Sequence, residues 1–156
     1  MQRFHTLAAA ALFAVCAAVN AADSSPAESS KDALAGAREH IAAKRWSAAI
    51  DELKRVNAVD NADWNNLMGY SMRKQKTPDL AAAEAYYDTA LRIAPEHRGA
   101  LEYSGELYLM KGDLGQAEKR LATLDKACTF SCAEYRELKQ AVERYKANGN
   151  QYVSAW

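Results

Sequence analysis

The chain has 156 residues, 49% of them hydrophobic and 26% charged, with 20 acidic and 20 basic side chains in exact balance. That is the composition of one soluble domain. The basic excess that carries nucleic-acid binding is missing, so no nucleic-acid partner is expected.

Residues 1–21 read as a secretory leader. Arg3 supplies a positive start, and Leu7 to Val19 is a 13-residue run of mostly Ala, Leu, Val and Phe. That run is too short to span a bilayer comfortably. Val19-Asn20-Ala21 offers small residues before a cut after Ala21, with Ala22 or Asp23 beginning the mature chain. The mature chain is therefore expected to be periplasmic or secreted and not inserted in a membrane. Cys16 raises the question of a lipid anchor. Val15 stands where a small residue is wanted and the apolar run continues past Cys16, so this cysteine is assigned to the discarded leader. Losing Arg3 with the leader leaves 19 basic and 20 acidic side chains. Residues 22–30, ADSSPAESS, have no apolar anchor and read as a flexible linker.

Helical periodicity begins after Ser30, a suitable cap. A helix is expected over Lys31–Ala43 with Leu34, Ala37 and Ile41 on one face. Lys44-Arg45 make a turn, and Trp46 opens a partner helix to about Asn57 with Ile50, Leu53 and Val56 inward. Asp60 to Asp63 is rich in capping side chains. The next helix, Asp63–Gln75, is expected to bury Trp64, Leu67, Met68 and Met72. Thr77-Pro78-Asp79 reads as a helix start with Thr77 as cap and Pro78 in the first turn. The helix then runs from Leu80 to Ala94, stopped by Pro95. Alanines 81, 82, 83, 85 and 90 would allow a close helix pair. From Arg98 to Asp125 a third hairpin carries small residues at Ser104 and Gly105. Gly112 suits the left-handed turn position, and Asp113 suits the following cap. A last helix, Ala133–Ala147, has Tyr135, Leu138, Ala141, Val142 and Tyr145 as its apolar stripe. Ser131 with Glu134 fits a capping box, and Gly149 can end the helix. The tail 150–156 shows no pattern.

The hairpins repeat. Ala49, Ala83 and Ala117 stand 34 residues apart, as do Leu53, Tyr87 and Leu121, and Val56, Ala90 and Leu124. A helix–turn–helix unit at this period is the signature of tetratricopeptide repeats, and the chain resembles that family over Lys31 to Thr129. Gly105, Tyr108, Gly112, Asp113 and Ala117 match in the third copy. Gly69, Ala83, Tyr87, Ala90 and Pro95 match in the second, whose turn carries two extra residues around Lys76-Thr77-Pro78. The first copy keeps Ala37, Trp46, Ala49 and Leu53. The resemblance implies an all-α solenoid of three hairpins over 31–129, a capping helix over 130–149, and a tail.

The family's first helices line a concave groove that takes protein or peptide segments. The matching flank holds Leu34 and Arg38, then Asn66, Tyr70 and Arg73, then Glu102, Glu106 and Leu109. Arg38 and Arg73 would form a positive end, Glu102 and Glu106 a negative end, with Tyr70 and Leu109 as apolar anchors. Tyr70, Arg73 and Glu106 are expected to be exposed. Tyr86, Tyr87, Tyr103, Tyr108, Tyr135 and Tyr145 follow helical spacing and read as packing residues with hydroxyls at the rim. The carboxylate clamp of one subset of the family needs Lys, Asn and Arg where this chain has Leu34, Leu67, Gly99 and Tyr103. Only Arg38 could serve. These features point to a non-enzymatic adaptor that needs no cofactor. No catalytic order, phosphate loop or metal-ligand cluster is recognisable, and His40 and His97 fall in separate copies.

Cys128 and Cys132 stand four apart behind an export signal. A disulfide is the default in an oxidising compartment. So small a loop gives about 2 kcal/mol, and the bridge would pin the capping helix to the third hairpin. Two alternatives stay open: a thiol–disulfide role, since Cys132 lies near a helix start, and a structural oligomerisation module.

Overall fold

The computed structural model describes residues 33–153. The leader, its Ala21–Ala22 cleavage point, the linker, the Ser30 cap and Trp156 lie outside the described residues. Among the described residues the regular structure is helical: α1 (Ala35–Ala42), α2 (Trp46–Val56), α3 (Ala62–Arg73), α4 (Leu80–Ile93), α5 (Arg98–Met110), α6 (Leu114–Ala127) and α7 (Ala133–Ala147). Helices α1 to α6 pair as three hairpins, and α7 closes the stack on α5 and α6.

Local chemistry explains most boundaries. The Asn61 side chain accepts from the Trp64 N–H at 2.9 Å and starts α3. Gly112 takes the left-handed φ of 79°, and the Asp113 carboxylate accepts from the Gln116 N–H at 3.0 Å. Lys44 also turns through a left-handed φ, so the α1–α2 turn needs only residues 43–45.

Two starts differ from the expectation. The cap of α4 is Asp79, not Thr77: its carboxylate accepts from the Ala82 N–H at 3.0 Å, and Thr77 and Pro78 stay in the turn. The extra residues of this copy lengthen the turn to 74–79 and move the start onto the stronger cap. The Ser131–Glu134 capping box does not form. Cys132 is the cap residue of α7, so the Ser131 hydroxyl sits one position too early, and its carbonyl accepts from Arg136 at 3.0 Å.

The repeat is visible in burial. Ala49, Ala83 and Ala117 expose no surface, as befits the contact point of each hairpin. A Cβ on Gly69 would lie 2.8 Å from the Tyr87 ring and 3.0 Å from the Ala83 carbonyl, so α3 and α4 approach as closely as backbone permits. Ala81 and Ala85 are exposed, on the outer side of α4 and not in the hairpin contact. Residue Gly105 plays the part of Gly69 toward α7: Leu138 occupies the space its Cβ would need. Leu138, Ala141, Val142 and Tyr145 are all buried, as the stripe predicts.

The first helices α1, α3, α5 and α7 pack on one another in sequence, whereas α2, α4 and α6 do not approach each other as closely. The stack therefore curves with the first helices inside. Its core falls into two clusters, one around Leu34, Ile50, Leu53, Trp64 and Met68, and a larger one from Ala83 to Tyr145, with Met72 touching both.

Candidate functional site on the first-helix side

Eight residues were expected to line the groove, and Leu34 among them is buried in the smaller core. The structure divides them. Arg38 is exposed and pairs with Asp63 at 3.4 Å. Its partner belongs to a polar junction where His97 also bonds Asp63 at 2.9 Å. His97 also caps α5, its Nδ1 accepting the Ala100 N–H at 3.1 Å.

Asn66, Arg73, Glu102, Glu106 and Leu109 are buried, against expectation. Asn66 is wedged against Gly99 at the start of α5. Leu109 points into the larger core. Arg73 and Glu106 are not opposite ends of a groove: they are partners at 2.7 Å, with side chains 0% and 9% exposed. The curvature that brings α3 and α5 together, with α7 behind, removes these groups from water. Burial opposes the Arg73 charge, but Tyr87 and Glu106 beside it hold its pKa above the usual arginine range. Tyr87 is fully buried, so its hydroxyl is not at a rim.

Glu102 faces α7. Burial, then the carboxylate of Glu106 and a hydrogen bond shared with Glu137, push its pKa up to about 9. At neutral pH it is an uncharged acid that links α5 to α7, and so no rim charge.

What remains accessible is aromatic. Tyr70 on α3 is half-buried; Trp46 at the start of α2 meets it edge-on at 5.8 Å, and Tyr103 of α5 lies tilted against it at 4.5 Å. The Arg73 guanidinium stands 5.7 Å from both tyrosine rings, and the Lys74 ammonium 5.9 and 5.7 Å from Trp46 and Tyr70. Cations over ring faces stabilise such clusters. Burial, then Arg73 and Lys44, push the Lys74 pKa down to about 8.

Tyr152, in the tail that showed no pattern, packs half-buried beside the larger core and near Glu106 and Arg73. Sequence reasoning singled out Tyr70 but not Trp46, Lys74 or Tyr103 as its companions. A signal existed for Lys74, which lies four residues after Tyr70 on one helix face. None existed for Tyr152.

Cys128 and Cys132 face each other with Cα atoms 5.7 Å apart, a separation that a disulfide spans. Among the described residues no cluster of three or more His, Cys, Asp or Glu could hold a metal, and no helix is long and apolar enough to cross a membrane.

Hairpins of this kind, stacked with the first helices inside, define an all-α helical-repeat protein. The tetratricopeptide repeat family matches residues 78–142, from the turn before α4 into α7, and this supports the resemblance drawn from the glycine and alanine positions. The match includes α7, which sits where the first helix of a further hairpin would sit. Repeats of this family are in general protein–protein interaction modules and in general not enzymes. Comparison with curated proteins finds no match.

Proposed function

We propose that this chain is an exported, non-enzymatic adaptor that holds a protein or peptide segment on its first-helix side. The observation that carries the reading is the accessible run Trp46–Tyr70–Tyr103, flanked by Lys74. Partly exposed aromatic rings with nearby cations are the kind of surface that anchors a partner, because few residues carry most interface energy. Export rests on the leader and its Ala21–Ala22 cut. The test uses the mature chain as bait in a periplasmic extract, followed by titration of the captured protein. Tyr70→Ala should weaken that partner by about 1–2 kcal/mol. Equal affinity for wild type and variant, with loss of binding on Asp88→Arg at the outer side of α4, would place the interface elsewhere.

A second reading keeps Cys128 and Cys132 as a redox pair, favoured by the position of Cys132 as cap residue of α7. Thiol counting on native protein separates the two. A bridge that resists mild reductant supports a structural role in pinning α7. A structural oligomerisation module would show itself by sedimentation of the mature chain.

A further inference from the structure

After α7 the chain turns back on itself. Gly149 and Asn150 follow one another with left-handed φ of 65° and 61°. The Asn150 N–H donates to the Tyr145 carbonyl at 2.9 Å and the Gln151 N–H to the Asn148 carbonyl at 3.3 Å. Glycine and asparagine enter this conformation at the least cost. The reversal brings Tyr152 against the larger core, near Arg73 and Glu106. We propose that the tail is a built-in ligand: Tyr152 holds the place that an extended partner segment bearing a tyrosine takes by displacing it. The proposal rests on the adaptor reading and names the partner's chemistry.

Three observations carry it. The tail's own side chain shows what the place accepts, an aromatic ring whose hydroxyl comes near a guanidinium. The place also continues the accessible aromatic run, since the same Arg73 guanidinium stands 5.7 Å from the rings of Tyr70 and Tyr103. Lastly, the tail does not pack flush. A cavity of about 500 Å³ lies between Gln151 and Tyr152 on one side and Leu80, Leu109, Lys111 and Tyr145 among others on the opposite side. That is within the range of ligand pockets. The tail bridges this space instead of filling it, so its departure removes one wall and leaves the helices behind it in place.

The exchange asks for no free charge. Arg73 keeps Glu106 at 2.7 Å whichever tyrosine is seated, so the buried pair is not stranded. One aromatic contact replaces another. What decides occupancy is that the tail is tethered, and a short tether gives its segment an effective concentration roughly in the millimolar range. A partner must therefore bind tightly enough to outcompete it, and weak chance encounters are excluded.

The experiment titrates the mature chain calorimetrically with acetyl-Asn-Gln-Tyr-Val-amide, which repeats residues 150–153. Control peptides carry Ala or Phe in place of the tyrosine. Tyr152→Ala empties the seat. Asn150→Val disfavours the left-handed turn and leaves Tyr152 in the chain. Both variants should bind the peptide saturably, and wild type should bind it weaker by about tenfold or more, because its own tail competes. The Ala peptide should lose about tenfold, and the Phe peptide about fivefold for want of the hydroxyl. If one variant unfolds, the other decides. No saturable binding to a folded variant would make the tail a structural wrap and overturn the proposal. Equal affinity of wild type and variants, or equal binding of either control peptide, would overturn it too. A captured partner weakened by Tyr70→Ala but indifferent to Tyr152→Ala would leave the adaptor reading standing and sink the tail as its competitor. Peptide binding as expected, with a partner indifferent to Tyr70→Ala, would do the reverse.

Discussion

At the scale of residues, three ionisable side chains, Arg73, Glu102 and Glu106, are buried among the described residues. Arg73 and Glu106 form a buried pair, and Glu102 is a buried acid held neutral. Removing one member of a buried pair strands the other, so Glu106→Ala should cost about 3–5 kcal/mol in urea unfolding. An apolar replacement of both, Arg73→Met with Glu106→Leu, should recover most of that loss. Equal costs for the single and double changes would show that Arg73 is not stranded by the loss of Glu106. Glu102 makes a different prediction. Its folded pKa of about 9 lies above the ordinary value of 4.5, so the folded state binds the extra proton. The stability tied to this group is complete below pH 4.5 and is lost as pH rises toward 9. Glu102→Gln keeps a donor for Glu137 and cannot ionise. It should flatten the decline of melting temperature over that window. An unchanged slope would mean that other groups set it.

At the scale of elements, α7 decides how much of the stack faces water. Its apolar stripe lies on α5, with Leu138 filling the space left by Gly105. The Cys128–Cys132 loop enters this helix directly, so a bridge there would restrain its start. Hydrogen exchange on Cys128→Ser/Cys132→Ser should show lost protection concentrated in Ala133–Ala147. Protection unchanged there would mean that the stripe alone holds the helix. Helix starts show how local chemistry competes. Asp79 displaced Thr77 and Pro78 as the start of α4 because the turn was lengthened, and His97 took over the cap of α5 while also bonding Asp63 of the preceding hairpin. That His97–Asp63 bond joins positions 34 residues apart, the repeat period expressed as a contact.

At the scale of the molecule, the unequal cores make stability uneven. Stacked hairpins touch only their neighbours, so each end depends on one interface. The first hairpin shares the smaller cluster with α3, while α3 to α7 share the larger one. Hydrogen exchange under rising denaturant should therefore open 35–56 before 98–145. Simultaneous opening of both regions would show that Met72, which touches both clusters, couples them into one cooperative unit.

The sequence by itself determined the helical hairpins, their period, the turn at Gly112 and Asp113, and the buried alanines at 49, 83 and 117. These follow from local propensity and from a spacing that every repeat must satisfy to pack. The partial exposure of Tyr70 was legible for the same reason, since its register on α3 is fixed by Trp64 and Met68. Only the tertiary structure decided which flank residues meet water. Periodicity gives the direction in which a side chain leaves its own helix, but not the distance to the next helix. The close approach of α3, α5 and α7 turned Arg73, Glu102, Glu106 and Leu109 from groove lining into interior. The return of Tyr152 beside Arg73, and the meeting of Trp46 with Tyr70 and Lys74, depend on contacts between segments far apart in the chain, which no single repeat encodes.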